Sequence, residues 1–492
     1  MKTIVWSHLG IALLLTSRGA IAQPAPPPAA VVPRGPEWIS LRLLHDKGVI
    51  SDAELRSALT DLDINNAGDA TTLVAAKLKT TIYGFVETSF IHDSTESCAE
   101  ICGATQIQRP DTYRGNHGRK TFSARSSRFG IRIAAPEQSG IRTSGLIETD
   151  FFGPTSTTEQ GTLSTAVLRI RHAYIKLETP VVDLTIGQTW SLFGWQPIYL
   201  VASAQPPGLP GQLFERTSQI RLSKAFKADG VALELAAAAN RPPQQDSSFP
   251  ELVTGARVSF DRWTGQHTGY LASTTIQPAS IAISGDLRGF RIPELSATPH
   301  TGHVRVGGGV SASVYLPIIS ATKQSRDNAL SVLAELTVGR GTSDAYTGLG
   351  AAGTASALVP GTTTVASTAS DPGPAVIDAT GHIALVKWTS YIASAEFYPA
   401  GTGGRVGTFA NYGHIRSANA MHVGAAASGS DAERAIARAK VRDHEEIYEL
   451  GGFFDPTGST RLGASGSLYA DTYGDGKLAK NYALLASAWL FY

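Results

Sequence analysis

Residues 481–492 read NYALLASAWLFY, and their alternation of side chains is the clearest indication of the fold. Every second side chain is apolar, so in a β-strand one face carries Tyr482, Leu484, Ala486, Ala488, Leu490 and Tyr492. Both ends of that face are aromatic, as in transmembrane barrel strands, whose lipid-facing band has an aromatic girdle at each interface. A soluble β-sandwich can also end on an apolar strand, but it gains nothing from aromatic ends. The stretch therefore predicts a lipid-facing strand.

The same alternation of polar and apolar residues extends back to Thr80. Stretches of about ten residues alternate in polarity and are separated by turn residues, as barrel strands are. The most readable strands begin near Thr81, Thr121, Ile141, Ala166, Val182, Ser218, Val231, Leu252, Gly265, His303, Ala329, His382, Val406, Ile447, Arg461 and Asn481. Residues 281–295 fit either a further strand or a long loop. We expect an all-β fold: a transmembrane antiparallel β-barrel of about 16 strands.

Connections of two lengths support this architecture. Residues 344–380 form a long stretch rich in Ala, Thr, Gly and Ser, whereas residues 261–264 fit a short turn between two strands. Long loops at one end and short turns at the other are typical of outer-membrane barrels.

The N-terminus predicts export. A charged start, a short apolar stretch and Ala20-Ile21-Ala22 form the pattern of a signal peptide over residues 1–22. An uncleaved membrane anchor fits less well, because the apolar run is short and a small-residue site follows it. Residues 23–36 form a linker rich in proline and alanine, residues 37–79 a periplasmic helical segment, and residues 80–492 the barrel.

Two short helices are expected in that helical segment. Gly48 can end the first, and Ser51 with Glu54 forms a capping box that begins the second. Leu55, Leu59 and Leu62 then lie on one apolar face. Such short helices need a partner surface, so the segment either joins subunits or docks against the barrel.

Composition excludes several functions. The chain has 42 Lys and Arg against 41 Asp and Glu, so no basic excess points to a nucleic-acid partner. The only cysteines, Cys98 and Cys102, can close a local disulfide in an oxidising compartment and are too few for a zinc site. Common catalytic motifs are absent from the sequence, so we predict no metal, no cofactor and no enzymatic activity.

Charged residues alternate with apolar ones on several predicted strands. Lipid-facing charges are costly, so the alternation turns the charged faces toward a water-filled lumen. The predicted lumen residues are Arg128, Arg132, Glu148, Asp150, Arg169, Arg171 and Arg221. The alternation blurs after Arg171, and a β-bulge near Ala173 would restore it. These charges either select among ions or brace the wall as salt bridges.

The connection over residues 190–219 is long and rich in aromatic residues and proline for a surface loop. Trp190, Phe193, Trp195 and Tyr199 all lie in it. It fits a constriction loop that folds into the barrel and buries these rings against the wall. The alternative is a lid that packs on the outer rim.

Five stretches resemble the DcaP-like trimeric outer-membrane porin family. They are residues 82–87 (IYGFVE), 126–130 (SSRFG), 168–177 (LRIRHAYIKL), 184–190 (LTIGQTW) and 214–222 (FERTSQIRL). The resemblance implies a 16-stranded trimeric barrel, a periplasmic N-terminal helical region, a constricting third loop and uptake of small, often anionic, solutes. It also implies that the pore is lined by Arg128, Arg169, Arg171 and Arg221.

The predicted function is therefore passive diffusion of small hydrophilic solutes through a Gram-negative outer membrane. We expect a modest preference for anions such as carboxylates, because Glu148 and Asp150 partly neutralise the arginines. The expected partners are outer-membrane lipid, lipopolysaccharide, the solutes and two further copies of the chain in a homotrimer. The alternatives are a phosphate-selective porin, a secreted β-rich enzyme and a sugar-binding protein.

Overall fold

The computed structural model describes most of the chain from residue 43 onward. The described residues are 43–52, 54–55, 72–75, 78–98, 100, 102, 106–153, 167–195, 201, 203–204, 208–241, 249–269, 274–293, 298, 300–346, 349, 357–358, 365–366, 375–377, 383–420 and 441–492. The predicted signal peptide and linker lie outside them. Among the described residues, no helix is long and apolar enough to cross a membrane.

Sixteen antiparallel strands close into a barrel, and this confirms the predicted fold class. The first eight are β1 (Leu78–Asp93), β2 (Arg119–Ser123 and Arg128–Ala134), β3 (Arg142–Asp150), β4 (Arg169–Glu178), β5 (Asp183–Trp190), β6 (Arg216–Ala228), β7 (Val231–Asn240) and β8 (Glu251–Thr268). The others are β9 (Thr274–Pro293), β10 (Gly302–Ile319), β11 (Ala329–Arg340), β12 (Lys387–Tyr398), β13 (Val406–Ser417), β14 (Arg442–Thr457), β15 (Thr460–Tyr473) and β16 (Leu478–Phe491).

Short strands accompany the barrel. Thr72–Ala75 pairs with β1, and a two-residue strand, Ala357–Leu358, pairs with Val365–Ala366. Ala375–Ile377 pairs with Ile383–Leu385 just before β12. The strand β16 pairs with β1 over Phe85↔Phe491 to Asp93↔Ala483, and this pairing closes the barrel.

The predicted strand count is right, but one assignment within it is wrong and one alternative is settled. The expected strands near Leu252 and Gly265 are one strand, β8, so residues 261–264 are not a turn between strands. Their register with β9 shifts between Phe260 and Thr264, which explains the turn-like sequence. Residues 281–293 belong to β9, so the strand reading of that stretch is correct. The two differences cancel in the count.

The last strand lies as predicted. Tyr482, Leu484, Leu490 and Tyr492 are exposed on its outer face, while Trp489 on the other face is buried against Phe85. Aliphatic side chains cover the outer face of the other strands in the same way; examples are Ile147, Ile175, Ile220, Ile283 and Leu336. An apolar outer band and a polar interior are the properties of a barrel that spans a membrane.

The N-terminal residues up to Ala70 form a separate compact unit. Residues 43–46 are helical, and the helix ends at Gly48, whose φ of 68° lies in the left-handed region. The backbone N–H groups of Gly48 and Val49 donate to His45 and Leu44. Ser51 and Glu54 form the predicted capping box, with Ser51 N donating to Glu54 Oε2 at 2.8 Å. Leu59 and Leu62 lie outside the described residues.

Candidate pore and its constriction

Five of the predicted lumen residues form one ion-pair network on β2, β3 and β4. Glu148 accepts from Arg171 Nε at 2.9 Å and lies 3.6 Å from Arg128 Nε. Asp150 pairs with Arg169 at 2.6 Å and with Arg171 at 2.5 Å. The structure thus brings together all of these residues, and both carboxylates are engaged by arginines.

A β-bulge in β4 creates this arrangement. Glu148 pairs with His172 and Thr149 with Ile170, so Arg171 is the extra residue. Arg171 and His172 are consecutive, yet both side chains are buried on the inner side. The predicted bulge is therefore present, two residues earlier than Ala173.

Arg132 and Arg221 have different surroundings from this network. The Arg132 guanidinium lies 5.2 Å from the centre of the Tyr83 ring, and its side chain is exposed. Among the described residues, Arg132 has no carboxylate within ion-pair distance. Arg221 is half-buried and donates to Gln219 at 2.8 Å and to the carbonyl of Trp190 at 2.5 Å. Neither belongs to the Glu148–Asp150 network.

The long connection between β5 and β6, here called L3 (residues 191–215), folds into the barrel as the constriction reading predicts. Its Leu192, Phe193, Trp195 and Leu213 are buried in one cluster with inner-wall residues of β8 to β14. A lid on the outer rim would not reach these strands. The rim reading is therefore wrong for the described part of L3.

L3 crosses the lumen to the inner surface of β8 to β16, here called the far wall. Trp195 fits over Gly255 in β8, where a Cβ atom would lie 2.4 Å from its ring. Leu213 N donates to Glu335 in β11 at 3.4 Å, and Ser203 donates to Glu449 in β14 at 3.0 Å. The carbonyl of Ala204 accepts from Ser487 in β16. One loop therefore covers the inner wall from β8 to β16.

A second inward segment packs beside L3. It is the start of the loop between β11 and β12, here called L6 (residues 341–386), which contains a short 3-10 helix, Ser343–Ala345. Phe214 N donates to the carbonyl of Ala345 at 2.8 Å. The sequence predicted a long connection here and did not indicate that its first residues turn inward.

Arg288 in β9 anchors both loops. Its fully buried guanidinium lies 3.0 Å from Asp286 and 2.5 Å from Asp344 of L6, and it also pairs with Glu251 and, more distantly, Glu215 of L3. Burial raises the pKa of Asp344 above its ordinary value; the Arg288 charge opposes that shift and the Glu251 charge adds to it. Burial and the Glu251 charge likewise raise the pKa of Glu215. Burial, with the charges of the neighbouring carboxylates added to it, raises the pKa of both groups despite the opposing charge of Arg288.

The carboxylates of the far wall are covered by inward segments. L3 covers Glu335 and Glu449 as described above. Ile107, in the loop between β1 and β2 (L1, residues 94–118), donates its N–H to Asp471 in β15 at 2.7 Å. Thr268 N in β8 donates to Glu396 in β12 at 2.9 Å. All four carboxyl side chains are buried.

Cys98 and Cys102 lie in L1. The structure places them in a disulfide, with Cα atoms 4.9 Å apart, buried beside Ile107 and Tyr473. The disulfide links two residues within L1, and its burial beside Tyr473 packs the loop against β15.

Sequence reasoning missed several side chains of the lumen. Tyr83 donates to Glu148 at 2.9 Å and stacks with Arg132. Arg216 lies over the rings of Trp190 and Phe214 at the base of L3. For Tyr83 a signal was present, because every second residue of a strand shares a face, and Tyr83 therefore lies on the same face of β1 as the inward residues Phe85 and Glu87. The inward position of Arg216 depends on L3 and has no such signal.

These features define a transmembrane-type β-barrel with the architecture of a porin: a closed 16-stranded barrel, an apolar outer band, a charged interior and an inward third loop. No protein-family model and no curated protein match the chain.

Solved structures show which barrels it is similar to. The outer membrane channel DcaP of Acinetobacter baumannii matches with a TM-score of 0.60 and 15% identity, covering 85% of this chain and 98% of that one. The anion-selective porin of Comamonas acidovorans matches at 0.45 and 11%, covering 84% and 100%. OmpT of Vibrio cholerae matches at 0.44 and 10%, covering 86% and 100%. The resemblance to the DcaP-like porins is thus confirmed at the level of the fold.

Proposed function

We propose that this chain is a porin of a Gram-negative outer membrane that lets small hydrophilic solutes diffuse passively and prefers anions modestly. One observation carries the preference: four far-wall carboxylates are covered, whereas two arginines on the near wall, β2 to β6, are not. Arg132 is exposed and the side chain of Arg169 is 38% exposed. A solute that passes beside L3 therefore meets guanidinium groups, which remain charged and bind carboxylates in a fork.

Two carboxylates support a modest rather than a strict preference. Glu148 and Asp150 remain within the arginine network and offset part of its charge. We further propose a homotrimer, as the resemblance implies, with membrane lipid and lipopolysaccharide around it. The chain acts without a cofactor.

The alternatives receive less support. A phosphate-selective wall would concentrate uncompensated arginine and lysine along the lumen. Here Lys176 lies 3.0 Å from Glu178, Lys224 lies 3.7 Å from Asp183, and Glu148 and Asp150 pair with the arginines of their network. An enzyme that used Glu148 and Asp150 would need at least one carboxyl group open to substrate. Arginines hold both, so we propose a channel rather than an enzyme or a sugar-binding protein.

Reversal potentials in a planar bilayer test this proposal. At low salt, about 0.1 M or less, charges act over about 10 Å and the near wall should favour chloride over potassium. Arg132→Ala should shift the potential toward cations, because it removes an exposed charge without breaking an ion pair. Arg142→Ala, at the start of β3 near the turns, is the control and should leave selectivity unchanged. A cation-selective wild type would refute the proposal.

A further inference from the structure

The end of the β8–β9 hairpin stands apart from the barrel wall. The pairing of β7 with β8 ends at Val231↔Phe260, and the pairing of β9 with β10 begins at Ser280↔Tyr315. Beyond these points the arms Thr264–Thr268 and Thr274–Pro278 form strand pairs only with each other, and one further backbone hydrogen bond, from Ala321 N to the carbonyl of Thr264 at 2.9 Å, joins the first arm to the β10–β11 turn. We call these two arms the ribbon. A two-stranded ribbon is marginally stable by itself, so its position depends on what it touches.

The ribbon lies inside the barrel. The carbonyl of Gln266 accepts from Tyr315 OH at 3.2 Å and from Ser331 Oγ at 3.0 Å, and both donors are inward-facing and buried. Thr274 Oγ1 accepts from Arg461 Nη2 of β15 at 2.8 Å. The ribbon therefore crosses the inner wall from β10 to β15 at the end of the barrel that carries the short turns.

Polar contacts to one carboxylate hold much of the ribbon in place. Glu396 of β12 accepts from Thr268 N at 2.9 Å, and its other oxygen lies 2.7 Å from His267 Nδ1. Tyr398 OH bridges the same carboxylate and Thr268 Oγ1, at 2.9 Å from each. Hydrogen bonds that involve a charged group are stronger than neutral ones, so Glu396 holds the ribbon in place. We call this set of contacts to Glu396 the latch.

The ribbon joins the wall at a break in the strand register. The register between β8 and β9 breaks between Phe260 and Thr264, and Asp261, Arg262 and Trp263 in this gap are exposed. Because the wall ladder is complete without the ribbon, a pivot at these residues breaks no pairing between β7, β8, β9 and β10.

We propose that the ribbon is a gate at the turn end of the channel, closed in this structure and opened when it swings away from Glu396. The proposal rests on the proposed channel function. The inward ribbon meets L3, because Ile276 packs on the cluster that contains Ala204 and Phe453. Both segments therefore lie on the β8–β16 side of the lumen, and outward movement of the ribbon widens the path.

Single-channel recording of the purified full-length protein tests the gate with two variants. Gly265→Val should displace the ribbon, because a Cβ atom there would lie 2.6 Å from the Pro317 side chain and 2.7 Å from Ser331 Oγ. Glu396→Gln should weaken the latch by one charged hydrogen bond, which is worth about tenfold in the ratio of open to closed time. Both variants should spend more time at a higher conductance level that the wild type visits rarely.

Matched controls separate gating from general damage. Gly458 lies in the β14–β15 turn with no atom within 4 Å of its Cβ position, and Glu446 lies on the outer face of β14. The variants Gly458→Val and Glu446→Gln should therefore behave as wild type. A heat-dependent gel shift shows which proteins are folded. Wild-type conductance in folded Gly265→Val and Glu396→Gln would overturn the gate. Absence of conductance in every folded protein would instead overturn the channel function, and the gate with it.

Discussion

Replacing Glu148 by glutamine should weaken the barrel while it strengthens anion preference. The carboxylate of Glu148 lies 2.9 Å from Arg171 and 3.6 Å from Arg128, and it accepts from Tyr83 OH at 2.9 Å. The side chains of both arginines are almost fully buried. Glutamine keeps the shape of this residue and removes only its charge, so the change isolates the electrostatic contribution of one group.

The expected loss follows from the burial of these ions. Removing one partner of a buried ion pair costs about 3–5 kcal/mol, because the remaining charge has left water without compensation. The glutamine amide still accepts a hydrogen bond from Tyr83, which offsets about 1 kcal/mol. We therefore expect the free energy of unfolding to fall by about 2–4 kcal/mol. Reversal potentials should move toward anions, because the network loses one negative charge.

The folded fraction can be followed by gel mobility of unboiled samples across a urea series. The control is Glu137→Gln, an exposed position in the turn between β2 and β3, which should change stability by less than about 0.5 kcal/mol. A second substitution, Arg128→Met in the Glu148→Gln protein, should restore part of the loss, because it removes an uncompensated buried charge. If Glu148→Gln unfolds at the same urea concentration as the control, the network does not stabilise the barrel.

Three further outcomes are expected. Thiol reagents should not label Cys98 or Cys102 in folded, unreduced protein, and ready labelling of both would contradict the disulfide in L1. Deletion of Phe491 and Tyr492 should lower the amount of folded barrel in the outer membrane, because it removes the end of the strand that closes the barrel; an unchanged amount on a heat-shift gel would argue against this. The raised pKa of Asp344 favours its protonated form in the docked loop, so docking of L6 should weaken as the pH rises through the pKa of Asp344 in that loop. Amide hydrogen exchange of the loop, corrected for its intrinsic rate, should then become faster. Asp344→Asn should remove this dependence, and the same pH dependence in the variant would show that another group is responsible.

Local sequence pattern predicted the barrel because each strand carries its own signal. Alternation placed Tyr482 and Tyr492 on the outer face without knowledge of any neighbour. The same local reasoning split β8 at Gly265, because an irregular register inside a strand uses the same residues as a turn. Whether such a break ends a strand depends on its partner, here β9, and a single stretch of sequence does not contain that partner.

The contacts between side chains across the lumen could not be predicted from local sequence pattern, because they too depend on distant parts of the chain. Alternation predicted which face carries Arg128, Glu148 and Arg171, but the bulge at Arg171 decides which carboxylate each arginine reaches. The aromatic content of L3 indicated that the loop turns inward. Its contact with Glu335 depends on barrel closure, which brings together residues 122 positions apart.

The two halves of the lumen explain how a chain with almost no net charge can have a charge-selective path. Covering Glu335, Glu449, Asp471 and Glu396 removes four carboxylates from the surface that a solute meets, although they still count in the composition. In the proposed channel, selectivity depends on which wall the inward segments cover rather than on the sum of charges. It follows that a variant which displaces the ribbon should conduct more and discriminate less, because it exposes Glu396 to the lumen. A porin whose selectivity arose only from Arg132 and its neighbours would instead keep its preference when the ribbon moves, so selectivity measured in Gly265→Val distinguishes these two origins.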